Sequence, residues 1–284
     1  MKKILLVVML GTLLGTVAYG GIFSRLFRRD RVQSVEVQGS DTMVNLGQAL
    51  AENFMKVDDT RIAVTGGGSG TGIAAMINGT VNIAQASRQA RDTEYQQAAN
   101  NGIQMKEWTV GFDGITVVVN VNNPISGLTK DQVRAIYIGE VTNWKQVGGK
   151  DQDIVVLSRQ SSSGTYGFFR DDVLRRGNSK GPEEFTETAL FMPSTQAIVD
   201  ETIRNEAAIG YIGMGYMSNK MKSLSIDGVM PSVENVANNS YTIARGLYWY
   251  TDGEPEGGVK KFLDWTLSDA GQKVVASEGF VPIR

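Results

Sequence analysis

The chain has 284 residues, 42% of them hydrophobic, with 28 Lys and Arg against 30 Asp and Glu and neither Cys nor His. That length suffices for a buried core in two lobes, while the missing imidazole and thiol exclude His-dependent triads, Cys nucleophiles, Cys-ligated metal centres and disulfides. Any chemistry falls to carboxylates, hydroxyls, Lys, Arg and backbone amides, no metal or other cofactor is expected, and a net charge of -2 argues against nucleic acid as a partner.

Lys2 and Lys3 precede an apolar run from Ile4 to Val17, followed by the small residues Ala18 and Gly20. This reads as a secretory signal peptide over residues 1–20, with cleavage after Gly20 and export to the periplasm or cell surface. The run is shorter than the ~20 residues of a membrane span, and an uncleaved anchor is the alternative. Residues 21–33 hold Arg25, Arg28, Arg29 and Arg31 and read as a basic linker whose charge resists translocation.

From Ser34 onward, short β-branched runs alternate with helical stretches, the signature of an α/β protein. Strands are predicted at 35–38, 61–65 and 81–86, and helices at 42–56, 70–77 and 92–99, the first with Met43, Leu46, Leu50 and Phe54 on one stripe. The run GFDGITVVVN at 111–120 is too apolar for an edge strand and is expected to cross into a second lobe. That lobe holds a predicted helix at 130–138, a strand at 154–158, a helix at 164–174, the stretch 194–205 and a strand at 208–211. Residues 241–250 read as the return crossover, and Val259, Phe262, Leu263 and Thr266 mark a terminal helix. Lobe 1 is expected to span 34–114 and 245–284, lobe 2 to span 115–244, with hinges near Asp113–Thr116 and Ala244–Gly246.

Four strand-to-helix junctions share one composition: GSDT at 39–42, GGGSGTG at 66–72, ASR at 86–88 and SRQSSSGT at 158–165. Unpaired N–H groups and the helix dipole favour an anion at such helix starts, and in an open α/β sheet these junctions gather in the crevice beyond the strands' carboxyl ends. Each alone has a plainer reading. Ser40, Thr42 and Ser163 would serve as N-caps, and the glycine run as a tight turn with positive φ. The run lacks the Lys of a Walker A loop and the third glycine of a dinucleotide fingerprint, which leaves a backbone nest for a small anion. Arg88 and Arg159 each follow a strand, and a planar guanidinium forks onto a tetrahedral oxyanion. A salt bridge to a nearby carboxylate is the alternative for both.

GSDTM, GGGSGTGI, ASR, LTKDQVRAIYIGEVTNW at 128–144 and SRQSSSGTYGFF, in this order from about Ser34 to the C-terminus, resemble the phosphate-binding proteins of bacterial ABC importers. The resemblance implies an α/β, two-lobed periplasmic-binding-protein fold of type II, each lobe a mixed sheet flanked by helices, joined by two crossover strands. Such a protein closes on inorganic phosphate and delivers it to ABC permease subunits in the membrane; a monomer is expected, and no enzyme. By motif match the anion contacts fall on Thr42, Met43, Ser69, Arg159, Ser163, Gly164 and Thr165. Ser40, Asp41 and Gly70 lie in the same loops, and Ser87 and Arg88 in the third contact loop. The family carries Ala–Ser–Asp there, its Asp accepting the phosphate proton that sulfate lacks, whereas this chain has Ala–Ser–Arg. Asp41 is the candidate replacement, with a helix N-cap as the other reading. Tyr166, Phe168 and Phe169 are expected in the core. Rival readings are an exported phosphate-sensing or adhesion protein on the same fold, and a phosphohydrolase using Ser163 or Thr165 as nucleophile with Asp41 as base.

Overall fold

The computed structural model describes residues 34–284. The signal-peptide and linker expectations for residues 1–33 lie outside the described residues. No helix among the described residues is long and apolar enough to cross a membrane.

Three strand–helix units open the chain: β1 (Ser34–Gly39) with α1 (Val44–Phe54), β2 (Arg61–Thr65) with α2 (Ser69–Ile77), and β3 (Ile83–Ala86) with α3 (Asp92–Asn100). Helical crossovers force parallel pairing, and β1 lies parallel between β2 and β3. Met43, Leu46, Leu50 and Phe54 are buried, as one stripe of a 3.6-residue period facing a sheet must be. The expected helix at 42–56 is trimmed at both ends, because a 3-10 turn at Asp41–Met43 forms its entry and it closes at Phe54.

β4 (Met105–Asn120) begins six residues before the apolar run, because its first half is only half-buried and carries Lys106 and Glu107. The second lobe adds β5 (Gly127–Leu128), α4 (Lys130–Tyr137), β6 (Val155–Arg159) and α5 (Gly164–Phe169), which runs on as a π turn at Arg170–Leu174. Then come β7 (Leu190–Met192), α6 (Thr195–Arg204), β8 (Ala208–Gly213), β9 (Met221–Ser223), β10 (Ser225–Ile226) and α7 (Val233–Ala237). β11 (Ala244–Asp252), α8 (Gly257–Leu267) and α9 (Asp269–Ser277) return to the first lobe.

The large sheet runs β2-β1-β3-β11-β4-β8-β6-β7, with β9 also on β4. Its outer triplets β2-β1-β3 and β8-β6-β7 are parallel, while β11 and β4 run antiparallel to their neighbours. β4 pairs with β11 from Met105 to Gly114 and then with β8 from Ile115 to Val119. One strand therefore serves both halves, and the fold is two lobes joined at β4 and at the entry to β11. Each lobe has its own core. Val35, Leu46, Phe54, Trp249 and Phe262 pack together on one side, and Ile115, Tyr137, Trp144, Phe169 and Tyr211 on the other. Phe169 is buried and stacks on Tyr211 at 4.0 Å, while Tyr166 and Phe168 only pack against the core's edge.

Candidate anion-binding site

The loops after β1, β2 and β3 meet the loop after β6. The Gly70 amide donates to the Ser162 carbonyl at 2.9 Å, and Ser162 Oγ donates to the Gly67 carbonyl at 3.4 Å. Gly68 has a φ of +107°, and a Cβ there would stand 2.6 Å from the Ser162 carbonyl oxygen. The glycine run therefore supplies both the positive φ and the close approach of two backbones. At Gly164 a Cβ would fall 2.2 Å from Ser69 Oγ and 2.8 Å from Ser87 Oγ, so the start of α5 can enter the first lobe's hydroxyl cluster only without a side chain.

That cluster comprises Ser40, Thr42, Ser69 and Ser87 from the first lobe with Ser163 and Thr165 from the second, all buried. Ser40 Oγ donates to Ser87 Oγ at 2.8 Å, and the Ser87 amide donates to Ser69 Oγ at 3.0 Å. Thr42 Oγ1 and Thr165 Oγ1 share a hydrogen bond of 2.6 Å across the lobes. Ser163 is the N-cap of α5, its Oγ accepting from the Tyr166 amide at 3.3 Å. Gly164 and Thr165, the first two residues of that helix, have no intrahelical acceptor for their amides.

Arg159 ends β6 with only 2% of its side chain exposed. Its Nη1 donates to Thr195 Oγ1 at 2.7 Å and lies 3.2 Å from Asp41 Oδ2, and Nη2 donates to the Pro193 carbonyl at 3.2 Å. Its Nε is buried with no acceptor. Buried donors are nearly always paired in folded proteins, so this orphan marks a place where an oxyanion oxygen would be welcome. Burial pulls the Arg159 pKa down, and the Asp41 carboxylate opposes that.

Asp41 does not cap its own helix. Its Oδ2 accepts from the Thr195 amide at 2.6 Å, the first residue of α6 in the other lobe, and the Tyr216 hydroxyl donates to its carbonyl at 3.0 Å. The carboxylate is thus a cap supplied across the cleft.

Four expected contacts have their donors engaged within the protein. Ser40 gives its hydroxyl to Ser87 and its amide to the Gln85 carbonyl at 2.7 Å. Arg88 forks onto Glu94 in α3 at 2.7 and 2.8 Å and donates again to the Gln89 carbonyl. The Met43 amide closes the 3-10 turn on the Ser40 carbonyl, and the Gly70 amide holds Ser162. The second buried guanidinium of the site is instead Arg245, from β11, which donates to Thr165 Oγ1 at 3.0 Å and to the Ser87 carbonyl at 2.8 Å, and pairs with Asp113 of β4 at 2.8 Å. Both lie in the expected hinges, near Asp113–Thr116 and Ala244–Gly246. The signal was available: Asp113 and Arg245 are the single charges of the runs 111–120 and 241–250, and a lone charge in a buried run needs a partner. Thr195 and Tyr216 carried no such signal. Among the described residues no group of three or more acidic side chains could hold a metal ion.

A family model described as a PBP superfamily domain matches residues 28–270. The phosphate-binding protein PstS of Bacillus subtilis is 35% identical over 256 residues, covering 88% of this chain and 81% of the relative. That of Borreliella burgdorferi is 30% identical over 290 residues, covering 100% and 99%. A solved structure from Clostridium perfringens, described as a phosphate ABC transporter substrate-binding protein with bound phosphate, superposes with a TM-score of 0.81 at 34% identity, covering 89% of this chain and all of that one. With so much of its length matched, and with two lobes meeting over a buried hydroxyl cluster, the chain belongs to the PBP superfamily and, within it, to the phosphate-binding PstS family.

Proposed function

We propose that this protein is the extracytoplasmic solute-binding component of a phosphate importer, capturing inorganic phosphate between its lobes by hinge closure and delivering it to an ABC permease. The observation that carries the reading is Arg159, a buried guanidinium with an unmatched Nε that pairs with Asp41 in the loop of Ser40 and Thr42, two of six buried hydroxyls from four loops. Each hydroxyl brings a donor as well as lone pairs, and several of these oxygens already accept a bond from the protein, so O–H groups remain to be offered to a ligand. An oxyanion provides the acceptors such a site lacks.

In this reading the anion takes the Arg159 Nε, the hydroxyls of Thr42, Ser69, Ser87, Ser163 and Thr165, and the amides of Gly164 and Thr165. Ser40 supports Ser87, and Met43, Gly70 and Arg88 stay outside the contact set. Asp41 latches the lobes together through Thr195 and Arg159. The hinge lies between Gly114 and Ile115, where β4 changes partner, and at residues 243–245, and phosphate favours the closed state by mass action. Export rests on the apolar run at 4–17. The names of the relatives and the phosphate bound to the Clostridium perfringens protein support the same reading over an adhesion role. Binding without turnover is further supported by Asp41, the base a phosphohydrolase would need, whose Oδ2 lies on Thr195 and Arg159.

Isothermal titration of phosphate into anion-stripped protein tests this. One site of micromolar or tighter affinity, with no hydrolysis of p-nitrophenyl phosphate, is expected. Turnover, or no binding heat, would overturn the proposal.

A further inference from the structure

Asp113 and Arg245 are cross-strand partners in the β4–β11 ladder, one residue before β4 leaves β11 for the second lobe. Their side chains are 0% and 2% exposed. Arg245 Nε and Nη2 both reach Asp113 Oδ2, at 3.2 and 2.8 Å, and the Met214 amide donates to Asp113 Oδ1 at 2.9 Å. Taking two charges out of water carries a penalty that their attraction only partly returns, and an apolar pair would serve stability as well. Stability alone therefore does not account for an ion pair in the strands that must flex.

The rest of the guanidinium supplies an account. Nη1 donates to the Ser87 carbonyl in the first lobe and Nη2 to Thr165 Oγ1 in the second. Arginine has no acceptor, so the Thr165 oxygen must accept there, and its own proton is left to point at Thr42 Oγ1, 2.6 Å away, or at a ligand. One side chain thus touches the opposite hinge strand and both halves of the site. When the lobes part, Arg245 cannot keep both Ser87 and Thr165.

We propose that Arg245, anchored by Asp113, is a positioning residue that couples the hinge to the anion site: it holds Thr165 as a donor and joins the two half-sites only in the closed state. The proposal rests on the phosphate-binding reading above and adds the residue that reports closure to the ligand. Replacement of the guanidinium by a point charge removes the fork.

A double-mutant cycle on Arg245→Lys and Thr165→Val, read by phosphate titration and stopped-flow release, tests it. Arg245→Lys is expected to raise the Kd by about tenfold or more, chiefly through faster release, and the double variant to bind no more weakly than the weaker single variant, because both remove one coupled contact. A second measurement uses the unaltered protein, in case Arg245→Lys does not fold. The Arg245 side-chain NH signals should gain protection from solvent exchange on phosphate addition. An unchanged Kd in folded Arg245→Lys, additive losses in the cycle, or NH signals indifferent to phosphate would overturn the clamp while leaving phosphate binding intact. Absence of phosphate binding by the unaltered protein would overturn the functional reading, and the clamp with it.

Discussion

Arg88 and Arg159 occupy matching places, one just past β3 in the first lobe, the other at the end of β6 in the second. Arg88 is taken locally. Glu94 lies six residues on, in the first turn of α3, where it accepts both arms of the guanidinium and the Arg91 amide. Residues 160–169, QSSSGTYGFF, contain no acid, so Arg159 finds no local partner. It reaches across to Asp41 and keeps a buried Nε without an acceptor. An acid within the first turn of the following helix converts a strand-end arginine into part of the scaffold, and its absence leaves Arg159 with a buried Nε that has no acceptor.

Four substitutions test that contrast. Arg159→Ala should weaken phosphate binding by well over tenfold, since a charge-assisted contact exceeds the ~1.4 kcal/mol that a factor of ten represents; an unchanged Kd in a titration would make Arg159 structural. Gly164→Ala should cost about tenfold or more, because its Cβ would strike Ser69 Oγ and Ser87 Oγ only when the lobes close. The melting temperature of the unliganded protein should not fall, since alanine is the better helix former.

Asp41→Asn keeps an oxygen for the Thr195 amide but removes the charge facing Arg159. A loss of roughly three- to tenfold in affinity through faster release is expected, with the preference for phosphate over sulfate unaltered. A narrowed preference would make Asp41 the acceptor of the phosphate proton instead.

Arg88→Ala should be the mildest for binding, less than about threefold in Kd, and should lower stability by about 1–2 kcal/mol. Its effect should also vary with pH. Burial pushes the Glu94 carboxyl up, but hydrogen bonds from Arg88 and the Arg91 amide outweigh this and hold it below its ordinary value. A carboxylate so depressed contributes stability that is present above its unfolded pKa and lost as pH falls through the folded one. The stability gap between Arg88→Ala and the unaltered protein should therefore be widest near neutrality and shrink in acid, as denaturant melts at several pH values would show.

The alternating pattern made most of the fold legible: the βα units, the central placement of residues 111–120 and the second crossover all follow from apolar periodicity and glycine punctuation. β5, β7, β9 and β10 escaped because two or three residues carry no period, and α9 because Asp269 follows α8 after a single residue, Ser268. The hydroxyl loops were readable because helix starts need caps and anions need donors. The partners of the charges were not. Glu94 accepting Arg88 follows from local spacing once α3 is placed, but Asp41 meeting Thr195 and Arg245 meeting Thr165 join segments 154 and 80 residues apart, and only the closed arrangement of two lobes brings them together.

A crystal structure of the protein grown with phosphate would show whether Arg159 and the four hydroxyl loops hold the anion. One tetrahedral anion is expected between the lobes, with an oxygen on Arg159 Nε and others on the Ser69 and Ser87 hydroxyls and the amides at the start of α5. Phosphate bound elsewhere, or a closed cleft in which Arg159 Nε meets a protein acceptor, would contradict it.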